Sequence, residues 1–431
     1  MRKTSVAASR PRSRDTEAQG DTRGRILRVA LELFFERGYS QTSVAMVART
    51  AGLSNSAYYR YFRSKEDILF SIVESFADDT IAALKGAMSA RSGLEGKLDA
   101  FYGTMLAIVG SNTHLYRVFT ETEFNGYVFV QDFYGRLVDV VAAQLDGLVA
   151  TGLDRYNIGY YLLGTVYLVG VKKTLWEASF HTDSFRPQLV DLALHGIDAR
   201  GDYPLGLIPL PHDLPRATPA THLTKGELTQ KRILAAAERV FGANGYWNSD
   251  MYTIAREAGV APGTTYLYFE SKLELLSKLV VEVNEGLRRN TARAIHGIDD
   301  RRGLEVAALE TFCDYIREHG NSYRIIREAE FVDKDLGRWY YSRLSDPYAV
   351  ALERAMTAGV LRRANPEIMA LALMGVGHWL GLRWVLWSKA ADAAVPLSIQ
   401  QESTALVLRG LNGLGRHWTQ DASKEVRGQT C

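Results

Sequence analysis

Moved forward by 207 positions, the chain lies on itself. Arg25-Ile26-Leu27 falls on Arg232-Ile233-Leu234, Gly38-Tyr39 on Gly245-Tyr246, Ala48-Arg49 on Ala255-Arg256, and Ala51-Gly52 on Ala258-Gly259. Tyr59, Tyr61-Phe62 and Ser64-Lys65 meet Tyr266, Tyr268-Phe269 and Ser271-Lys272, and with Ala30, Phe34 and Leu69 there are 17 identities in the 45 positions from Arg25 to Leu69. The match continues at Tyr116-Arg117, Glu123-Phe124 and Arg136-Leu137. It then moves to an offset of 211 at Gly164, Gly170 and Trp176, against Gly375, Gly381 and Trp387, so four residues are inserted between these points. Solenoid repeats run about 20 to 50 residues, so this longer period is a duplicated domain pair. Whatever one half folds into, the other must follow.

At 431 residues, two domains with sizeable cores are expected. Five of the eleven prolines, Pro204, Pro209, Pro211, Pro215 and Pro219, mark an extended and fairly stiff linker. The expected segments are a basic disordered arm (1–20), a small domain (21–70), a helical body (71–200), the linker (201–224), a copy of the small domain (225–277), a second body (278–415) and a tail (416–431). Two cysteines, Cys313 and Cys431, give no disulfide framework or cysteine zinc site, which suits a reducing cytoplasm. No signal peptide is evident. The longest uncharged apolar run, Ile158 to Val171, is shorter than the roughly 18 residues that span a bilayer, and is expected as a buried helix.

Net charge is only +2, but it is unevenly placed: residues 1–70 carry 13 Lys and Arg against 7 Asp and Glu, whereas residues 221–276 carry 6 of each. Arg2, Lys3, Arg10, Arg12 and Arg14 precede the first acid, a pattern suited to following phosphates or a minor groove and equally to a solvated tail.

The periodicity is helical in both halves. Ile26, Leu27, Ala30, Leu33 and Phe34 form an apolar stripe that Gly38 ends. Thr42 or Ser43 caps a short helix ending at Ala51-Gly52, Ser54 caps Asn55 to Tyr61, and Ser64 with Asp67 resembles a capping box. In the second half Gly245, then Ser249 or Asp250, Gly259, Pro262 and Ser271 with Glu274 repeat the punctuation. Two short helices around a glycine turn are a helix-turn-helix, whose second helix fits a DNA major groove.

The order Gly-Tyr, a capping hydroxyl, Ala-x-x-Ala-Gly and Tyr-x-Tyr-Phe-x-Ser-Lys, at 38–65 and 245–272, is similar to the N-terminal domain of the TetR family of bacterial transcriptional regulators. The resemblance implies an all-α chain of two tandem units, each a three-helix DNA-binding domain with a C-terminal effector and dimerisation bundle. It implies phosphate contacts from Tyr59, Tyr61, Lys65, Tyr266, Tyr268 and Lys272, and from the hydroxyls of Thr42 and Ser249. The recognition helices depart from the family's Gly-Thr and from each other: Asn55-Ser56-Ala57-Tyr58 faces Pro262-Gly263-Thr264-Thr265. Asn55 and Tyr58, and Thr264 and Thr265, are the expected distinctive base contacts.

No catalytic, metal or cofactor constellation is found. The nine histidines are scattered, and the glycines around His378 have the wrong spacing for a dinucleotide loop and no preceding strand. Aromatic residues in the bodies fill core and line an expected effector pocket, for which Tyr116, Phe119, Phe124, Tyr167, Phe331 and His378 are candidates, with Lys172, Lys173 and Arg383 as anchors for an anionic head group. The expected partners are double-stranded operator DNA and an apolar or amphipathic effector, such as an acyl-CoA or lipid-like acid, in a bacterial cytoplasm and away from membranes. The family implies repression more often than activation. The rival reading is a helical small-molecule binding protein or enzyme whose helix-turn-helix units do not bind DNA.

The family pairs through its last two helices. Here the counterparts are Ile158–Phe180 with Arg186–Gly196, and Met369–Trp387 with Gln400–Leu411, so one chain is expected to form a pseudo-dimer with two unlike half-sites. Further association into a homodimer stays open. The 16 residues from Pro204 to Pro219, at about 3.1 Å each, reach on the order of 50 Å, beyond the roughly 34 to 36 Å between half-sites one DNA turn apart.

Overall fold

The computed structural model describes residues 14–111, 113–122, 128–177, 179–180, 183–205, 224–388, 390, 393–415 and 418. Most of the expected basic arm, linker residues 206–223, Phe124 and nearly all of the tail lie outside the described residues. Every regular element among the described residues is helical; an isolated antiparallel bridge joins Asp198 to Leu361. The chain divides into two compact units, residues 1–78 and 79–431.

The first unit holds α1 (Arg14–Arg37), α2 (Val44–Thr50), α3 (Asn55–Tyr58) and the start of α4 (Lys65–Ser89). Its core is the expected stripe: Ile26, Ala30 and Phe34 of α1 are fully buried with Val47, Phe62, Ile68 and Leu69.

The second unit continues with α5 (Gly93–Ser111), α6 (Thr113–Thr122), α7 (Val128–Leu145), α8 (Arg155–Val171) and α9 (Arg186–His195). The second copy follows as α10 (Lys225–Asn244), α11 (Met251–Glu257), α12 (Pro262–Tyr268), α13 (Lys272–Ala294), α14 (Arg301–Glu318), α15 (Gly320–Val332), α16 (Lys334–Thr357), α17 (Pro366–Gly381) and α18 (Leu397–Arg409). Helices α8 and α17 start alike. Asp154 accepts from the amides of Tyr156 and Asn157, and its counterpart Asn365 from those of Glu367 and Ile368. Both run into one π-helical turn, Lys172–Trp176 and Leu382–Leu386. The stretch Pro366–Leu386 is long and apolar enough to cross a membrane, and most of it is buried inside the protein.

Helices α8 and α17 pack on each other, α18 on both α8 and α9, which is the pairing expected from the sequence. At the crossing the backbones touch. A Cβ on Gly164 would lie 2.9 Å from the Gly375 carbonyl oxygen, and one on Gly375 only 2.0 Å from that of Gly164. The C-terminal turns of α9 and α18 exchange backbone hydrogen bonds reciprocally. Ile197 N and Asp198 N donate to Val407 O and Leu408 O at 2.9 and 3.0 Å, while Leu411 N and Asn412 N donate to Ala193 O and Leu194 O at 2.8 and 2.9 Å. Residue i contacting j while j's counterpart contacts i's is the signature of a two-fold interface, here formed within one chain.

The seam's polar groups are symmetric only in part. Glu402 of α18 accepts from Asp154 N at 2.9 Å, as its counterpart Gln188 accepts from Asn365 N at 2.6 Å, but Glu402 also accepts from Asn157 Nδ2 and Ser403 donates to Asn157 Oδ1, where the other copy has Ile368. Arg302 is ion-paired with Asp198, Asp202 and Asp300, which pins the segment following α9 to the second body. A buried guanidinium satisfied by three carboxylates favours one arrangement of the chain over its alternatives.

Two outcomes follow. Gly375→Ala places a methyl against a backbone carbonyl that no rotamer change can move, so it should cost about 3 kcal/mol or more in denaturant unfolding; an unchanged midpoint contradicts the contact. Burial pushes the Glu402 carboxyl from its ordinary 4.5 up to about 7. Because this pKa is raised on folding, its stabilising contribution is complete below about pH 4.5 and is lost as pH rises through about 7. Unfolding midpoints should therefore fall across that window, and Glu402→Gln should remove this part of the fall; an identical pH profile for the variant contradicts it.

Candidate DNA-reading heads and a ligand cavity

In the first head, Gly38 adopts φ +88° and ends α1, and the turn after it is held by Lys65. The Lys65 ammonium donates to Tyr39 O at 2.7 Å and lies 4.2 Å from the centre of the Tyr39 ring. Ser43 caps α2 by accepting from Met46 N, while buried Thr42 donates to Gly38 O at 2.9 Å. Ser54 caps α3, which is a single turn. Asn55, Ser56, Tyr59 and Arg60 are exposed, and Ala57 and Tyr61 half-buried. Tyr58 is fully buried with its hydroxyl on Ser64 O at 3.0 Å, and burial pushes the phenol up to about 12.

The second head repeats the scaffold with different contacts. Asp250 caps α11 through Thr253 N at 2.7 Å, and buried Ser249 donates to Gly245 O at 2.6 Å. Lys272 donates to Tyr246 O and Ser249 O, each at 2.8 Å. Its recognition helix α12 is longer and begins at Pro262, where a missing N–H loses nothing. Pro262, Gly263, Tyr266 and Leu267 are exposed, Leu267 by 82%, whereas Thr264 and Tyr268 are half-buried. Thr265 is fully buried and donates to Pro262 O at 2.7 Å. A Cβ on Gly263 would meet nothing within 4 Å, so no neighbour in the fold requires a glycine there. This head is tied to its own body: Tyr246 N donates to Glu328 Oε2 on α15 at 2.8 Å, and Ser322 bonds Glu238.

Behind the second head, α13, α14, α16 and α17 enclose a cavity of about 490 Å³, within the range of small-molecule sites. Leu287, Leu304, Leu309, Phe312, Leu344 and Leu373 are among its apolar walls. Its polar groups sit at particular places. Arg288 and Arg343 are exposed, and Arg301 pairs with buried Glu305, which also accepts from Tyr348. Deeper in, Tyr323 is hydrogen-bonded to His378 Nδ1, whose ring stacks on Tyr167 at 4.5 Å. Burial, then the nearby Arg327 charge, hold the imidazole well below its usual value, so it is neutral in this hydrogen bond.

The family described as bacterial regulatory proteins, tetR family, matches residues 26–72 and again 233–279. The chain is a tandem TetR-family protein. It is 35% identical over 101 residues to the HTH-type transcriptional activator FasR of Mycolicibacterium smegmatis, covering 23% of this chain and 46% of that one. It is 32% identical over 89 residues to the regulator TcmR of Streptomyces glaucescens, covering 21% and 38%, and 32% over 87 residues to the repressor KstR2 of Rhodococcus jostii, covering 20% and 42%. The chain thus spans less than half the length of these curated relatives.

Several expectations for this TetR-family chain need correction. Tyr58 and Thr265 were expected at base edges, but both are fully buried, with their hydroxyls spent on Ser64 O and Pro262 O. Thr42 and Ser249 hold the α1–α2 and α10–α11 turns from inside, and Ser43 and Asp250 are the caps. The Lys65 and Lys272 ammonium groups are engaged by carbonyls of those turns. Of the nine effector candidates, Phe124 lies outside the described residues, and among the rest only His378 lines the cavity. Tyr116 and Phe119 are core, Tyr167 accepts from Arg327 at 2.9 Å, Lys172 is paired with Glu177 and Glu367, and Phe331 is not in the lining. Arg383 lies 5.8 and 5.5 Å from the centres of the Tyr160 and Trp384 rings. Two exposed residues were missed, Arg60 just past the end of α3 and Leu267 in α12; both are the middle residue of Tyr-x-Tyr, next to a tyrosine that was identified.

Lys272→Met separates the two roles for that lysine. It should lower stability by about 1.5 to 3 kcal/mol, the worth of charged hydrogen bonds to the turn. Unchanged unfolding with weakened DNA binding would instead return the ammonium to phosphate.

Proposed function

We propose that the chain is a ligand-responsive transcriptional regulator that reads an operator of two unlike half-sites with its two heads and loses affinity for it when an amphipathic acid enters the second body. The observation that carries this is the contrast between two heads on one scaffold. The first exposes Asn55, Ser56 and Arg60, suited to polar base edges, and the second Gly263 and Leu267, suited to close backbone approach and a thymine methyl. Tyr59 and Tyr266, each 56% exposed, are left as phosphate donors, assisted by half-buried Tyr61 and Tyr268.

The effector reading is supported by the cavity's composition: apolar walls with Arg288, Arg301 and Arg343 against Glu305 alone favour an acid with an apolar tail. The route to DNA is short. Helix α13 starts directly after α12 and lines the cavity with Leu287 and Thr291, while α15 contributes Tyr323 to the cavity and Glu328 to the α10–α11 turn. A ligand that prefers one placement of these helices shifts DNA affinity by that difference in free energy. Release of DNA by the ligand would make the chain a repressor.

Selection of bound sequences from a random duplex pool should return two different half-sites in fixed order; perfect palindromes would overturn the reading. Tyr59→Phe and Tyr266→Phe should weaken binding to every selected sequence without changing preference. Binding that shows no salt dependence on random duplex DNA would favour a helical binding protein with no DNA role.

A further inference from the structure

We propose that ligand sensing in this chain is one-sided: the second body holds a single site, and the equivalent space in the first body is filled by the first body's own side chains. This rests on the effector reading above and adds which half carries the site.

At the offset of 207, cavity residues Thr291, Ala308 and Leu309 correspond to Leu84, Phe101 and Tyr102, and at 211 Gly377 corresponds to Val166. Each change enlarges the first-body side chain. Leu84, Phe101 and Tyr102 are completely buried and Val166 nearly so. Tyr102 is anchored as well as buried, with its hydroxyl 2.8 Å from Thr165 Oγ1. Its counterpart Leu309 has no hydroxyl to make that bond, and its side chain lines the cavity instead.

The polar groups are one-sided too. Arg301 and Glu305 correspond to Leu94 and Leu98, so the first body lacks the ion pair that the second places in its cavity wall. Beyond the matched Leu137 and Leu344, α7 ends at Leu145 whereas α16 runs on to Thr357, so the insertion falls in the helix that brings Pro347 and Tyr348 to the cavity. Pro347 donates no hydrogen bond within that helix and requires room in the preceding turn, which favours an open wall over a close-packed one. Leu168 of α8 completes the lining, so the first body supplies a wall to the site in the second.

The consequence is one ligand per chain, acting first on the second head. In a pair of identical subunits both bodies would carry the site; here duplication left one copy free to become a packed support.

Titration of the full chain with 11-(dansylamino)undecanoic acid, a fluorescent amphipathic acid, should saturate at one probe per chain. Ala308→Phe, which installs the first-body residue, should weaken it about tenfold or more while thermal unfolding shows the variant folded. Tyr102→Phe, which removes only the first-body anchor, should leave stoichiometry and affinity unchanged. Xenon enters apolar cavities whatever ligand they evolved for, so xenon-pressurised crystals provide an arm independent of ligand chemistry. Density among Ala308, Leu309 and Gly377, with none among Phe101, Tyr102 and Val166, is expected. Two probes per chain, or xenon in both bodies, overturns the one-sided assignment. Xenon in the second body alone, with no binding of the acid, retains the asymmetry and refutes the acid-effector reading.

Discussion

The contact between Gly164 and Gly375 is what the remainder of residues 79–431 depends on. Close-packed interiors tolerate little added volume, and at this crossing two helix backbones stand where any side chain would separate them. With α8 and α17 in contact, their aromatic flanks interleave: Trp379 of α17 stacks on Tyr160 and meets Tyr134 and Tyr167 edge-on. The paired turns of α9 and α18 complete the seam. Two bodies thereby share one core.

Symmetry of the backbone does not extend to the chemistry. Arg327, completely buried, donates to Glu330 and Tyr341 in its own body and to Tyr167 in the other. Its counterpart at the 207 offset is Thr120, whose hydroxyl caps carbonyls of its own helix. Removing one member of a buried charged network leaves the others unsatisfied, so this cluster fixes one register of the two bodies. Tyr341, Tyr323 and His378 also line the cavity. A ligand there touches Tyr341, bonded to the guanidinium that reaches Tyr167 across the seam, and His378, which stacks on Tyr167, so it has a physical means of acting on both bodies.

The scaffold of the heads was legible in the sequence because it is local. Glycines at 38 and 245, capping side chains and a stripe at helical spacing each act within a few residues, and the duplication allowed each to be checked against its copy. Choosing between Thr42 and Ser43, or Ser249 and Asp250, was not a local question: both candidates carry an oxygen, and burial against α1 or α10 decides which one points to the helix start. Tyr58 was misread because its difference from Thr265 drew attention, although both face inward. The cavity was missed for a simpler reason. The expected lining residues were aromatic, whereas the wall also includes the small Ala308, where the first copy has Phe101. That signal was available in the offset comparison, in the positions where the copies differ in size.

The central claim is that one chain supplies both sides of a two-fold interface that the family builds from two. Light chains and isotopically heavy chains, both containing photo-leucine, can be unfolded, mixed in equal amounts, refolded together and irradiated. Cross-linked peptides joining 155–171 to 366–381 should be light–light and heavy–heavy only. If half of them are mixed, the α8–α17 contact forms between chains, and the intrachain pseudo-dimer is wrong.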